Sequence, residues 1–252
     1  MRSEAVKVQT AGLVVKEQNV GESDRLITIL TAKYGLIRAF VHRAKNVKSN
    51  LVSSTQLLSY SDFTLYQGKT AYTVGSAKVK NVFFGLREDI EALSAAMYLS
   101  ELFGTLAPEN ADAEELLRLL LNSLYLLAEH KKPVKQIKAV AELRGLSDAG
   151  YMPDLVACKD CGTFETPRMV FNPVTGSLRC EECGAGAPGL LLSLGTVTAM
   201  RHIIYSDAPK VFQFALSDAA LPELSNAAEQ FALQQTGRTY KTLDFYHSLP
   251  ES

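Results

Sequence analysis

The sequence predicts an α+β chain: a small five-stranded β-barrel at the N-terminus, then an α-helical domain carrying an inserted four-cysteine loop. Three observations carry this. Residues 1–80 alternate with period two and show little helical period. From Leu86 the apolar spacing lengthens to three and four. All four cysteines fall between positions 158 and 183. The 252 residues are 47% apolar with a net charge of −1, which excludes disorder as the main theme and suits two domains. The expected division is 1–80 and 81–252, with the cysteine insert at about 154–190.

The first strand is the β-branched run at 11–16. Residues 25–31 put Leu26, Thr28 and Leu30 on one face and Ile27, Ile29 and Thr31 on the other. Tyr34-Gly35 turns the chain into a strand at 36–42, which makes a hairpin. A longer strand at 56–66 follows, and Gln67-Gly68-Lys69 turns it into 71–74 and on towards Val79. Five strands in about 70 residues suit a small closed or partly open barrel. An oligonucleotide-binding (OB) barrel is the leading choice; an SH3-like barrel or a simple meander is the alternative.

Leu86, Ile90, Leu93 and Met97 then recur at helical spacing, and Leu99, Leu102, Phe103 and Leu106 extend the pattern nearly all round. That predicts one buried helix from Leu86. Asp112 is the expected N-cap of a helix over 116–128, with Glu115 as its reciprocal partner. His130, Lys131 and Lys132 suit the negative end of that helix, and Pro133 stops it. Pro133 also opens a helix with Val134, Ile137, Val140 and Ala141 as its inner face, fading near 145–150. In the cysteine insert, residues 171–176 read as a hairpin turn. Ser193 caps a helix through Tyr205, and a last helix spans 221–235 with Gly237 as its stop.

The most apolar stretch, 116–128, is broken by Arg118, Asn122 and Ser123. It falls far short of the roughly 18 to 20 residues a membrane span needs. Residues 1–8 carry charge and no apolar h-region, so the expectation is a cytoplasmic protein with no membrane partner.

Charge is segregated along the chain. Residues 1–80 hold 12 Lys/Arg and 5 Asp/Glu, a balance of +7; residues 81–252 hold 14 and 22, a balance of −8. A basic module that binds a polyanion, joined to an acidic one, fits this pattern.

Cys158, Cys161, Cys180 and Cys183 form C-x2-C-x18-C-x2-C. Two thiolates three residues apart wrap one side of a metal ion, and two such knuckles complete a tetrahedron around one zinc. Gly162 and Gly184 follow the knuckles and let the turns take left-handed angles. The rival readings are two disulfides, which a reducing cytosol disfavours, or a redox dithiol, which lacks its βαβ context. Four thiolates leave no open coordination position, so the expected role is structural.

Other motifs fail on context. Residues 184–189 spell G-x-G-x-x-G but follow a knuckle, where a dinucleotide site needs a strand. Gly68-Lys69-Thr70 lacks the earlier glycine of a phosphate loop, because Phe63 stands there. His42, His130, His202 and His247 are scattered without metal or triad spacing. No catalytic constellation or small-molecule site is predicted.

Lys33, Arg38, His42, Arg43, Lys45 and Lys48 lie within 16 residues with no acid among them, and Tyr34 and Phe40 are interleaved. Cations meet phosphates and aromatic faces stack on unpaired bases, which is the chemistry of sequence-tolerant single-strand binding. Phe40 is the weaker aromatic candidate, since its alternation with Ala39 and Val41 also allows a place inside the barrel.

Gly21-Glu22-Ser23-Asp24-Arg25, then Leu30-Thr31, Tyr34-Gly35 and a basic loop ending Lys48-Ser49, resembles the bacterial recombination mediator family RecO. The resemblance continues in Gly150-Tyr151-x-Pro153-Asp154-Leu155-x-x-Cys158-x-x-Cys161-Gly162 and covers essentially the whole chain. One departure stands in the basic loop, where Arg43 replaces the family's usual glycine and Asn46 lies near the place of a second arginine. The resemblance implies an OB domain followed by a helical domain with a zinc loop. It also implies a non-enzymatic, nucleoid-associated DNA repair protein. Such a protein binds single- and double-stranded DNA, anneals complementary strands and engages single-strand-binding protein (SSB). It works with RecR to load RecA onto gaps. Lys131, Lys132, Lys135 and Lys138 are the candidates to receive an acidic SSB tail, and the alternative reading of these lysines is an ordinary solvated helix face. The alternatives are a zinc-ribbon OB protein that binds RNA, and a protein-interaction scaffold whose basic barrel meets an acidic partner.

Overall fold

A computed structural model describes residues 6–42 and 51–250. The barrel strands are β1 (Lys7–Val20), β2 (Asp24–Thr31), β3 (Gly35–Val41), β4 (Tyr60–Gln67) and β5 (Tyr72–Asn81), with a one-turn helix α1 (Leu51–Ser54) between β3 and β4. They close in the order β1-β2-β3-β5-β4. Every pairing is antiparallel except β3 with β5, which meet through only Ala39↔Tyr72 and Phe40↔Thr73. Period-two alternation sends Val14, Ile27, Ile29, Ile37, Ala39, Val41, Phe63, Leu65 and Val74 into one apolar core. β1 is much longer than the β-branched run at 11–16, because its polar ends pair along β2 and β4. Ladder hydrogen bonds there outweigh side-chain propensity.

The helix expected from Leu86 is two elements. A 3-10 turn at Phe84–Arg87 buries Leu86, and α2 (Ile90–Leu106) starts afresh. Asp89 makes the break: its carboxylate accepts from the backbone N–H of Glu91 and Ala92 at 2.8 and 3.2 Å. α3 (Glu114–Ala128) begins with Ala113 at its cap position, and Asp112 accepts from the N–H of Glu114 at 3.3 Å, so the predicted capping box does not form. The barrel ends at Asn81, yet α2 and α3 stay with it, and Val15 of β1 lies beside Gly104 of α2. One compact unit is Met1–Glu129 with Thr242–Ser252, and the other is His130–Lys241. The compact units therefore divide later than residue 80.

The second unit holds α4 (Val134–Asp148), β6 (Arg168–Asn172), β7 (Ser177–Cys180), β8 (Leu190–Ser193), α5 (Leu194–Tyr205) and α6 (Ala220–Thr236). The three strands form a sheet in the order β7-β6-β8. Ser193 caps α5, and Gly237 ends α6 with φ of 61°. Phe171 of β6 meets Phe231 of α6 with ring centroids 5.7 Å apart. A short α7 (Lys241–His247) has too few residues to show a period in the sequence. Among the described residues no helix is long and apolar enough to cross a membrane.

Candidate nucleic-acid interface and metal centre

On β3, Ile37, Ala39 and Val41 point into the core, so Arg38 and Phe40 point outward. The barrel interior is therefore not where Phe40 lies. Its ring stacks on His42, centroids 6.5 Å apart and 9° from parallel. His42 Nδ1 lies 2.7 Å from Asp24 Oδ2, an acid on this face that the basic run gave no reason to expect. Arg38 is exposed opposite Thr28 of β2.

The β2–β3 turn is strapped down. Leu36 N–H donates to Pro108 O at 2.8 Å, Asn110 N–H to Tyr34 O at 3.1 Å and Ala113 N–H to Ala32 O at 2.7 Å. Gly35 has φ of 59°, and a Cβ there would lie 2.0 Å from Pro108 O, so the turn needs glycine. Tyr34 is half-buried and packs against the barrel core, while Lys33 Nζ sits 5.7 Å from its ring centroid. Phe40, itself half-buried, points outward with the exposed His42, whereas Tyr34 packs against the core. Arg43, Lys45 and Lys48 lie outside the described residues.

The lysines of the second unit do not share one face. Lys131 is exposed and Lys135 half-buried, and Lys132 Nζ donates to Phe214 O at 3.3 Å. Lys138 is fully buried, with Nζ 2.9 Å from Glu142 Oε1 and 2.7 Å from Glu229 Oε2. Burial alone would pull its pKa down; the two carboxylates outweigh that and hold it above the ordinary lysine value. Lys138 is therefore withdrawn as a partner contact. α4 packs on both α5 and α6, so the expected solvated side of this helix is covered at that turn.

The four cysteines converge. The sulfurs of Cys158, Cys161, Cys180 and Cys183 all lie within 4.8 Å of one another. Cys161 Sγ and Cys180 Sγ are 3.7 Å apart. A tetrahedron of thiolates at about 2.3 Å from a zinc ion has an edge of roughly 3.8 Å, so the residues present fit such an ion. Cys158 and Cys180 are buried, Cys161 and Cys183 exposed. Gly162 N–H donates to Cys158 O and Gly184 N–H to Cys180 O, each at 2.8 Å, which closes the two knuckles alike. Gly162 is left-handed as expected, with φ of 75°, but Gly184 is not. Its constraint is space, since a Cβ would lie 2.7 Å from Val170 Cγ2. Gly186 takes the left-handed position instead, with φ of 73°. The G-x-G-x-x-G run ends at β8, where a dinucleotide site would start a helix.

Hydrogen bonding within the cluster shifts its thiols in opposite directions. Burial pushes Cys158 up, but the hydrogen bonds offered by the backbone of Cys180, Cys161 and Asp160 outweigh it and bring the thiol down to about 6. Hydrogen bonding to Thr163 lowers Cys161. Cys183 is pushed up by its hydrogen bonds with Cys180 and Cys161.

Arg201 of α5 is a residue that no sequence signal marked. Its Nε donates to Leu155 O at 2.7 Å, and one terminal nitrogen donates to Val156 O at 3.1 Å and Phe164 O at 2.7 Å. The guanidinium carbon lies 4.2 Å from the Phe164 ring centroid. Burial pulls its pKa down, but a guanidinium stays charged. One side chain thus ties both flanks of the first knuckle to a helix. Arg201→Met is expected to weaken metal affinity about tenfold, as loss of a supporting contact around a metal site does. Competition with a chromogenic chelator measures this; unchanged affinity would show that the knuckle is ordered without the tie.

A closed five-stranded barrel followed by helices with an inserted four-thiol centre that could hold a metal ion defines a modular barrel protein. Residues 1–83 match the family profile described as Recombination protein O N terminal, and residues 87–244 match Recombination protein O C terminal. The break between the two profiles falls where the barrel ends. The chain is 37% identical to DNA repair protein RecO of Acetivibrio thermocellus, across 96% of this chain and 97% of that one. It is 29% identical to DNA repair protein RecO of Alkaliphilus metalliredigens, across 92% and 94%. It is also 29% identical to DNA repair protein RecO of Symbiobacterium thermophilum, across 94% and 96%. The chain belongs to the RecO family of DNA repair and recombination proteins.

Proposed function

We propose that this protein is a non-enzymatic recombination mediator that holds single- and double-stranded DNA on its barrel and anneals complementary strands. It acts in the cytoplasm, on the nucleoid. With RecR as partner it loads RecA onto SSB-coated gaps. The observation that carries this is the outward face of β3, where exposed Arg38 precedes the stacked Phe40–His42 pair and Lys33 stands at the β2–β3 turn, in a RecO-family chain. Cations there neutralise phosphates, and the ring pair offers a stacking surface to an unpaired base, with no group among the described residues arranged to read base edges. The metal is zinc, bound by the four thiolates, and it staples the fold without touching DNA. Lys131, Lys132 and Lys135 are the groups offered to an acidic SSB tail.

Strand annealing on SSB-coated oligonucleotides is the test. Annealing well above the spontaneous rate is expected, and none would overturn the reading. DNA affinity should also fall steeply with salt. If the barrel neutralises about 4 to 6 phosphates of a single strand, the slope of log affinity against log salt is roughly −3 to −4. Fluorescence-anisotropy titrations across a salt series measure it, and a flat response removes the electrostatic face from the argument.

A further inference from the structure

The barrel has a second outer face, built by β1, β4 and β5. Registry places three rows of side chains across these strands: Lys7–Tyr66–Thr73, Gln9–Thr64–Ser76 and Ala11–Asp62–Lys78. Their neighbours in alternation point the other way. Phe63 and Leu65 are in the barrel core, and Val8, Tyr72 and Ala77 pack against it, so these rows face outward. An open trough of about 480 Å³ runs over the face, and Gln9, Thr64, Ser76 and Lys78 are among its walls.

Two features set this face apart from an ordinary solvated sheet. The first is an aromatic ring on a bare backbone. β5 carries an irregularity opposite Thr64 and Leu65, at Gly75, and a Cβ on Gly75 would lie 2.3 Å from Tyr66 Cε2. The Tyr66 ring therefore rests on the glycine and remains 41% exposed. The second is charge. Lys7, Lys78 and Lys80 line the strands, and the one outward carboxylate of these rows, Asp62, lies 3.5 Å from Lys80 Nζ. Three lysines against one aspartate leave this face at +2.

We propose that the β1–β4–β5 face is a second track for single-stranded DNA, so that one barrel carries two strands at once. Resting on the mediator reading above, it supplies what annealing asks of a single protein: two strands held without base readout and near each other. Lys7 and Lys78 meet phosphates, Tyr66 stacks on a base, and Gln9, Thr64 and Ser76 offer hydrogen bonds to backbone oxygens whatever the sequence. A polyanion is the occupant that the excess of lysines selects, and the exposed ring selects one with unpaired bases.

The experiment titrates the full chain with a fluorescent oligothymidine of about 8 nucleotides, too short to wrap both faces, and measures strands bound per chain. Wild type is expected to bind two. Lys7→Glu with Lys78→Glu should bind one, and its annealing of longer complementary strands should fall at least tenfold. Lys7→Gln with Lys78→Gln, a milder pair, keeps the test open if charge reversal disturbs the fold. Tyr66→Ala should lower the affinity of the second event about tenfold, as loss of one stacked base does, and Tyr66→Phe should restore it. One strand per wild-type chain, or lysine variants that bind two and anneal normally, would overturn the second track and leave the mediator reading standing. A wild-type chain that binds no oligonucleotide would instead overturn the mediator reading itself.

Discussion

Removing the metal, or replacing Cys158 with serine, is expected to melt the two knuckles of the second unit while the barrel stands. Metal binding in such closed thiolate sites supplies on the order of 10 kcal/mol of folding free energy, more than a typical domain can lose. Cys158 is only 2% exposed, so serine there buries a hydroxyl where a thiolate ligand belongs. The loss should stay local, because the sheet keeps an apolar core of its own in Met169, Phe171, Leu178 and Leu192. Phe171 still meets Phe231, and Arg201 still holds Leu155 O. The expected result is about one zinc per chain by elemental analysis of protein purified without chelators. In Cys158→Ser the soluble yield drops, and fast hydrogen exchange appears over residues 158–163 and 180–185 with barrel protection unchanged. Absence of zinc in the native protein, or full protection of the knuckles in the serine variant, would sink the metal reading.

How far the sequence could be read follows from how local each signal is. The four cysteines were legible because metal coordination needs donors of one kind at one spacing, whatever the chain does between the knuckles. The barrel strands were legible in their middles, where Ile27, Ile29, Phe63 and Leu65 alternate, and not at their ends. β1 extends through polar residues because its backbone must pair on both sides to close the barrel, a demand that no side chain announces. The break at Asp89 was missed because apolar spacing runs on across it; a capping carboxylate followed by free N–H groups was the competing signal. Lys138 misled because spacing along α4 says which residues share a stripe and not what packs on that stripe. Glu142 and Glu229 make the buried charge tolerable, and Glu229 lies 91 positions away in sequence. Arg201 was invisible for the same reason. Its partners are backbone carbonyls, which carry no residue-type signature.

Reversing Arg38, Lys45 and Lys48 together to glutamate is expected to abolish annealing and DNA binding at the β2–β3 face, leaving no more than the one strand that the β1–β4–β5 face would hold. Arg38 is exposed on β3, two positions before Phe40, and its inward neighbours Ile37 and Ala39 do not depend on its charge. Lys45 and Lys48 follow in the basic run after His42. Exposed charges contribute little to stability, so fold and metal content should survive, as circular dichroism and elemental analysis will show. Each reversal removes one attraction to phosphate and adds one repulsion. Non-specific complexes start at a dissociation constant of roughly 10⁻⁴ to 10⁻⁶ M at physiological salt, so a loss of about a hundredfold takes binding out of the useful range. The control is reversal of Lys131, Lys132 and Lys135, all in the second unit, which should leave DNA binding intact and weaken capture of an SSB tail. The comparison separates a local surface from bulk charge, since both triple variants change net charge by −6. If only the barrel variant fails, phosphates are held by the β2–β3 face and its basic loop. If both fail alike, net charge is the cause and no surface has been located. If the barrel variant anneals as wild type does, the DNA lies elsewhere on the chain, and the site assignment is wrong within a family assignment that still holds.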